Sequence, residues 1–208
     1  RHNRSRDIPK LRLGASSTLT RYVLLSHLEK YISRFPHVRI TISCQSTYQT
    51  LHLLDEEKID LGLIGRPQKL RGYYFHPLLK IRDTFVCTRQ YLENQKKLYP
   101  DEPLIQAATF MMLDEDNITR QTVNAQLKEH HVELSHILEV TTMDLLIQFA
   151  EIGLGIACVI RDFVKKELEE GTLVEVPVGF SFPPREIGFV CRQKDANLDL
   201  IVPFFGEE

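Results

Sequence analysis

The sequence predicts an α/β fold of two similar, Rossmann-like lobes joined by two crossover segments. Two observations carry this prediction. The order strand, polar turn, helix, strand occurs once in the first half and again in the second half. Two similar extended stretches, FVCTRQ (85–90) and FVCRQK (189–194), flank the second occurrence and mark the crossovers. This order of elements is typical of a parallel sheet with right-handed crossover connections.

Composition is consistent with one large domain or two lobes. The chain has 208 residues, 43% of them hydrophobic, and a formal net charge of −2. Its acids and bases are interspersed, so bulk charge indicates neither a nucleic-acid nor a membrane surface. No apolar run approaches the roughly 20 residues needed to span a bilayer. Cysteines at 44, 87, 158 and 191 stand apart among apolar neighbours, which predicts reduced core thiols and a cytoplasmic location.

The beginning of the chain differs from the rest. RHNRSRDIPK (1–10) is basic, lacks apolar periodicity and does not start with Met. We therefore expect residues 1–9 to be the end of a linker from a segment further upstream.

The first half yields clear elements. Ser16-Ser17-Thr18 opens a segment with helical apolar spacing (Leu24, Leu28, Tyr31, Ile32, Phe35) that ends at Pro36. VRITISC (38–44) alternates strictly and predicts a strand, with Val38, Ile40, Ile42 and Cys44 on one face. Gln45-Ser46-Thr47 opens a second helix, and DLGLIG (60–65) predicts a buried strand. Residues 75–90 are predicted to be extended, with Pro77 at a sheet edge.

The second half repeats the pattern. TFMM (109–112) predicts a strand, Asn117-Ile118-Thr119 opens a helix, and HILEV (136–140) predicts the next strand. Thr141-Thr142 caps a helix that ends at Gly153. After this come strand 155–160, a helix ending at Gly171, strand 173–178, an extended segment at 187–194, and an amphipathic tail with Leu198, Ile201, Val202 and Phe205.

Four predicted strand-to-helix turns carry hydroxyl or amide side chains. Ligands of open parallel sheets bind beyond the carboxyl ends of the strands, where helix N-termini offer free N–H donors. The alternative is ordinary N-capping, worth about 1 kcal/mol each; three consecutive hydroxyls exceed what one cap needs. The candidate binding residues of these turns are Ser16, Ser17, Thr18, Ser46, Thr47, Asn117, Thr119, Thr141 and Thr142.

Other polar residues are ambiguous or point away from chemistry. Arg66 follows the DLGLIG strand and either reaches an anion or is a solvated loop residue. The acidic turn 114–116 is interpreted as surface. Nucleophile-elbow, P-loop and zinc motifs are absent, so we expect neither an enzyme nor a metal or cofactor. Cys87 and Cys191 occupy matching positions, but buried packing is favoured over a redox switch.

Three motifs in this order resemble the effector-binding domain of LysR-type transcriptional regulators: a helix ending RFP before a strand, the DLGLIG strand, and a capped helix leading to GLGIA (153–157). The resemblance spans roughly residues 10 to 205. It implies a periplasmic-binding-protein-like (type 2) fold, with lobe I at 10–83 and 188–208 and lobe II at 84–187. It also implies an upstream winged helix-turn-helix domain, absent from this chain, that contacts promoter DNA.

The same resemblance implies function and assembly. A small effector, expected to carry a carboxylate, would bind in the inter-lobe cleft at the four turns and modulate DNA binding by the full-length protein. Full-length chains would form tetramers whose effector domains pair antiparallel, helix 24–34 of one subunit against helix 119–130 of another. The family's oxidant sensors use a cysteine pair in the second lobe, which Cys158 alone does not supply. Two alternatives stay open: a solute-binding protein of an ABC-type transporter, and an enzyme on the same scaffold.

Overall fold

The computed structural model describes residues 8–195 and 197–206. Most of the predicted linker, residues 1–7, lies outside the described residues. The described chain splits into two compact units: the first takes the residues up to Leu79 and from Glu186 onward, and the second takes Lys80–Arg185. Each unit is built on a five-stranded sheet with helices, which confirms the predicted two-lobed α/β class.

The strands and helices follow one another in the predicted alternation. The strands are β1 (Lys10–Ala15), β2 (Arg39–Cys44), β3 (Leu61–Gly65), β4 (Tyr73–Ile81), β5 (Asp83–Cys87), β6 (Thr109–Met112), β7 (His136–Glu139), β8 (Ile156–Ile160), β9 (Val174–Glu175) and β10 (Arg185–Arg192). The helices are α1 (Ser17–Leu19), α2 (Leu25–Arg34), α3 (Thr47–Asp55), α4 (Arg89–Leu98), α5 (Leu104–Ala107), α6 (Ile118–Glu129), α7 (Met143–Glu151), α8 (Lys165–Glu170) and α9 (Leu198–Ile201).

Both sheets are mixed, so the expectation of purely parallel sheets was wrong. The first has the order β2-β1-β3-β10-β4, in which β1 is parallel to β2 and β3, while β10 runs antiparallel to β3. The second has the order β7-β6-β8-β5-β9, in which β6 is parallel to β7 and β8, while β5 runs antiparallel to β8 and β9. The antiparallel strands are those of the extended segments, which periodicity alone cannot orient.

Apolar central strands form the two cores. In the first unit β3 is buried along its whole length, and Leu54 and Ile64 pack with Val190 of β10. In the second unit Phe85 and Phe110 meet edge to face at 5.4 Å and share a core with Val123 and Leu127 of α6. The helices therefore bury the apolar faces that their 3.6-residue periodicity predicted.

The structure adds two helices that the sequence prediction missed. The stretch 75–90 was predicted to be extended, but its last two residues begin α4, whose N-terminus is capped by Thr88 Oγ1 accepting from Tyr91 N–H at 3.1 Å. Helix α4 is strongly polar and Tyr91 is its buried residue, so it lacks the apolar stripe that would have revealed it. The short helix α5 follows it.

The β2 strand shows why alternation does not guarantee burial. Ile42 is 44% exposed and Cys44 is exposed, because β2 is an edge strand of its sheet. The prediction of four core cysteines was therefore wrong for Cys44 and right for the other three, which are buried. In the tail, Ile201 is buried whereas Leu198 and Val202 are about half exposed.

The long first helix changes register once. A π-helical turn, Thr20–Leu24, separates α1 from α2. Helix α2 buries Leu28 and Tyr31, while Leu25 and Ile32 remain exposed. Among the described residues, no helix combines the length and the apolar character needed to cross a bilayer.

Candidate functional site

The first two polar turns lie side by side at one edge of the first sheet. Strands β1 and β2 are parallel and Ala15 is opposite Cys44, so both chains leave the sheet at the same edge. The backbone N–H of Gln45 donates to the Ala15 carbonyl at 3.1 Å and joins the two turns directly. The prediction that strand-end turns share an edge is thus met within this unit.

The serines of this edge cap the helices that follow. Ser16 Oγ accepts from Leu19 N–H and Ser46 Oγ accepts from Gln49 N–H, both at 3.2 Å. Thr18 and Thr47 are buried, whereas Ser17 is exposed. Capping therefore explains one residue of each turn, and Ser17 is the hydroxyl left at the surface of the edge.

Arg66 is held in place by its own unit. Its Nη1 lies 3.2 Å from Glu186 Oε1, and its backbone N–H donates to the Glu186 carbonyl. The guanidinium stands 5.3 Å from the centre of the Phe75 ring. With about half of its side chain exposed, Arg66 is neither a loose loop residue nor an uncompensated cation.

The second unit has a matching edge. Strands β6 and β7 are parallel with Met112 opposite Glu139, and Val140 N–H donates to the Met112 carbonyl at 2.8 Å. The turn before α6 and the turn before α7 therefore leave the sheet together. In this unit the structure brings Asn117 and Thr119 to the same edge as Thr141 and Thr142.

Caps also account for part of this second edge. Asn117 Oδ1 accepts from the backbone N–H groups of Thr119 at 2.8 Å and Arg120 at 3.4 Å. Thr142 Oγ1 accepts from Leu145 N–H at 3.3 Å. Thr141 is exposed and lies outside the helix that its neighbour caps.

Sequence reasoning missed a charged network beside Thr119. Arg185 donates from Nε and Nη2 to the two carboxylate oxygens of buried Asp83, both at 2.8 Å. Its Nη2 also donates to Thr119 Oγ1 at 2.7 Å. Because the Thr119 oxygen accepts this bond, its own hydrogen is left to donate to another group. These residues are 66 to 102 positions apart, and no local motif signals their contact.

Arg120 fixes the turn before α6. The residue is 5% exposed, and its Nη1 donates to the Leu113 carbonyl at 2.7 Å and to Glu139 Oε1 at 3.3 Å. Its Nε donates to Asn124 Oδ1 at 3.1 Å. These bonds tie the end of β6 to β7 and α6. Arginine in the middle of an otherwise ordinary helix sequence gave no hint of this role.

The buried thiols are poor nucleophiles. Burial raises the pKa of Cys87 to about 12, and it also raises the pKa of Cys158 and Cys191. A thiolate is the reactive form, so these three cysteines are inert at neutral pH. Within the described residues no group of three or more His, Cys, Asp or Glu side chains is arranged to hold a metal ion.

Two mixed α/β units with this strand order, each opening its helices at the carboxyl edge of the parallel strands, define a periplasmic-binding-protein-like (type 2) domain. The chain belongs to the family described as the LysR substrate binding domain, whose model matches residues 5–205. The recognition drawn from RFP, DLGLIG and GLGIA is thereby confirmed.

Similar proteins agree with this assignment. The uncharacterized HTH-type transcriptional regulator YeiE of Escherichia coli K12 is 24% identical over 183 residues, which cover 83% of this chain and 58% of YeiE. The regulatory domain of HypT from Salmonella typhimurium superposes with a TM-score of 0.79 at 15% identity, covering 95% of this chain and 94% of that one. The regulatory domain of CcmR from Synechocystis PCC6803, solved in complex with 2-PG, gives a TM-score of 0.75 at 17% identity and covers 95% of both chains. The chain thus spans little more than half the length of a curated relative.

Proposed function

We propose that this chain is the ligand-sensing domain of a LysR-type transcriptional regulator. A small effector, held jointly by the strand-end turns of the two units, modulates DNA binding by the full-length protein. One observation carries the proposal: each unit gathers two helix N-termini with hydroxyl or amide side chains at the carboxyl edge of its parallel strands. The regulators reported among the relatives support it, and they favour sensing over solute transport or catalysis.

The chemistry of the turns favours an acceptor-rich, anionic effector. Helix N-termini carry about half a positive charge and point N–H donors outward. Ser17 adds an exposed hydroxyl in the first unit. In the second unit Thr119 accepts from Arg185 and thus keeps its hydrogen for a ligand acceptor. A carboxylate matches these donors, and the 2-PG complex of CcmR supports looking among small acids.

Regulation requires only a modest preference. An effector that binds one arrangement of the full-length protein better than another shifts the equilibrium by its differential affinity, typically about 1–3 kcal/mol. Promoter DNA would be contacted by an upstream winged helix-turn-helix domain, and the protein would act as a tetramer.

A thermal-shift screen tests the proposal. Small carboxylates, amino acids, aromatic acids and 2-PG are added to the chain and the midpoint of unfolding is recorded. A ligand present at about 100 times its Kd stabilises the folded state by about 2.7 kcal/mol. We expect Ser17→Tyr to abolish the shift of any acid found, because Ser17 is exposed and its replacement blocks the edge without disturbing a core.

Ser181→Tyr is the matched control, since Ser181 is also exposed but lies far along the chain from the four turns. It should respond like the parent. If Ser17→Tyr keeps the full shift, the turns do not hold the ligand and the proposal fails.

A further inference from the structure

A cavity of about 380 Å³ lies in the first unit, remote from the strand-end turns. Helix α2 forms one wall, and Leu78 of β4 and the tail around Phe204 form the others. The segment from Ser17 to Tyr31 runs back along the sheet, on the order of 20 Å at 1.5 Å per residue. The cavity is therefore at the opposite end of this helical segment from Ser16 and Ser17.

The helical wall is basic. His27, Lys30 and Arg34 follow each other at helical spacing and all line the cavity. His27 Nδ1 lies 3.0 Å from the Val23 carbonyl and donates to it, so the ring presents Nε2 on its other side. Arg34 stands 5.2 Å from the centre of the Phe35 ring. Among the described residues that line the cavity, none is an aspartate or a glutamate.

The other surface is aromatic and firmly packed. The rings of Tyr31 and Phe204 stack with centres 4.3 Å apart, and Phe35 lies against Tyr31 at 4.9 Å. The Tyr31 hydroxyl donates to the Leu200 carbonyl at 2.8 Å, which fixes the tail to the helix. The cavity therefore has an ordered apolar floor beneath cationic side chains.

We propose that this cavity is a second ligand site and that it takes a small organic anion with an aromatic body. Its volume falls in the usual range for small-molecule sites. Lys30 and Arg34 attract the anionic group, and the rings of Tyr31, Phe35 and Phe204 accept the planar body. An inorganic anion satisfies the charges but leaves the aromatic floor uncovered, so it binds more weakly.

The site is independent of the surface used for pairing. Leu25 and Ile32 are each 52% exposed on α2 and lie about half a turn away from Lys30 and Arg34 around the helix. A partner packed on the Leu25 and Ile32 face leaves the basic face open. The cavity is also outside the four turns, so ligand binding here is separate from the effector site proposed above.

The chain has no tryptophan, which permits a direct test. Phe35→Trp places a single reporter in the cavity wall, and Tyr48→Trp places one beside the Ser46 turn. Benzoate is the probe, benzamide its uncharged counterpart and acetate the same charge without a ring. We expect a saturable change in Phe35→Trp emission with benzoate, and about tenfold weaker binding of benzamide and acetate.

Charge variants identify the site. Lys30→Gln in the Phe35→Trp background should weaken benzoate binding at least about fivefold. Lys69→Gln, an exposed lysine of the same unit outside the cavity, should leave it unchanged. Calorimetry on the chain without tryptophan, with and without Lys30→Gln, should show the same dependence and guards against disturbance by the reporter.

Three outcomes would overturn the proposal. Equal binding of benzoate and benzamide would mean that charge is not recognised. A response confined to Tyr48→Trp and unaffected by Lys30→Gln would assign benzoate to the strand-end turns, which supports the sensor proposal but not this site. No response of either reporter, and no heat at millimolar benzoate, would leave the cavity without this class of ligand.

Discussion

At the scale of single residues, Asp60 is the most constrained charge of the first unit. It is 1% exposed just before β3, and it accepts from Arg12 through the backbone N–H at 2.9 Å, Nε at 3.2 Å and Nη2 at 3.0 Å. Burial alone would raise the pKa of Asp60, but the hydrogen bonds and the charge of Arg12 outweigh it and hold the pKa below its ordinary value. The pair fastens β1 to the start of β3.

We predict that Asp60→Asn lowers the free energy of unfolding by about 2 kcal/mol at pH 7, because a charge-assisted hydrogen-bond network is lost. The pKa is lower in the folded state, so this contribution is present above the unfolded pKa of 3.8 and disappears as pH falls through the folded value. Urea unfolding of parent and variant at pH 7 and near pH 3 measures both effects.

Asp101→Asn provides the comparison, since Asp101 is exposed. It should change stability by less than about 0.5 kcal/mol. A difference between parent and Asp60→Asn that stays constant down to low pH would contradict the assigned cause.

At the scale of elements, the polar turns have two roles. Ser16, Ser46, Asn117 and Thr142 each satisfy N–H groups at the start of a helix, which is a structural duty. Ser17 and Thr141 share these turns and are exposed. Residue type alone could not separate the two sets, because Ser and Thr are suited to both roles.

The two threonines before α7 allow this division to be measured. Thr142→Ala should lower the free energy of unfolding by about 1 kcal/mol, because it removes the acceptor for Leu145 N–H. Thr141→Ala should stay within about 0.5 kcal/mol of the parent. Chemical unfolding curves for the two variants provide the comparison, and equal losses would show that Thr142 is not the effective cap.

Elements with a strong apolar period were predictable from sequence, and weakly patterned ones were not. The alternation of 38–44 and the apolar run 60–65 correctly indicated β2 and β3, and Gly153 ends α7 with a positive φ of 81°, as predicted. Helix α4 was missed because one buried tyrosine makes no stripe. Burial of β2 was overestimated because alternation cannot distinguish an edge strand from a central one.

At the scale of the whole molecule, the two α/β units followed from the repeated order of elements, but the connections between distant residues did not. The contact of Arg185 with Asp83 and Thr119 depends on tertiary packing of three separate segments. The same is true of the cavity between α2 and the tail, whose aromatic floor joins residues about 170 positions apart. Such sites have no signature in local sequence.

Self-association is a further prediction at this scale. The resemblance implies that α2 packs against the α6 region of a second copy. Helix α2 exposes Leu25 and Ile32, and a groove of about 770 Å³ beside α6 is lined by Leu127, Val132 and Ile137 among others. We predict that the chain sediments as a dimer and that Ile32→Glu shifts it toward monomer, because a buried charge without a partner opposes association.

Val202→Glu is the control, because Val202 is similarly exposed but belongs to the tail. Sedimentation velocity over a range of concentrations measures the equilibrium. A parent chain that is monomeric throughout, or an Ile32→Glu chain that dimerises like the parent, would contradict the pairing.

The position of β10 has a consequence for how the protein is made. This strand lies between β3 and β4 in the first sheet, although it comes more than 100 residues after β4. A ribosome therefore releases all of the second unit before it releases the strand that joins β3 to β4. The inserted unit is able to fold during synthesis, whereas the unit that begins the chain must wait for its last segment, which reverses the usual N-terminal-first order.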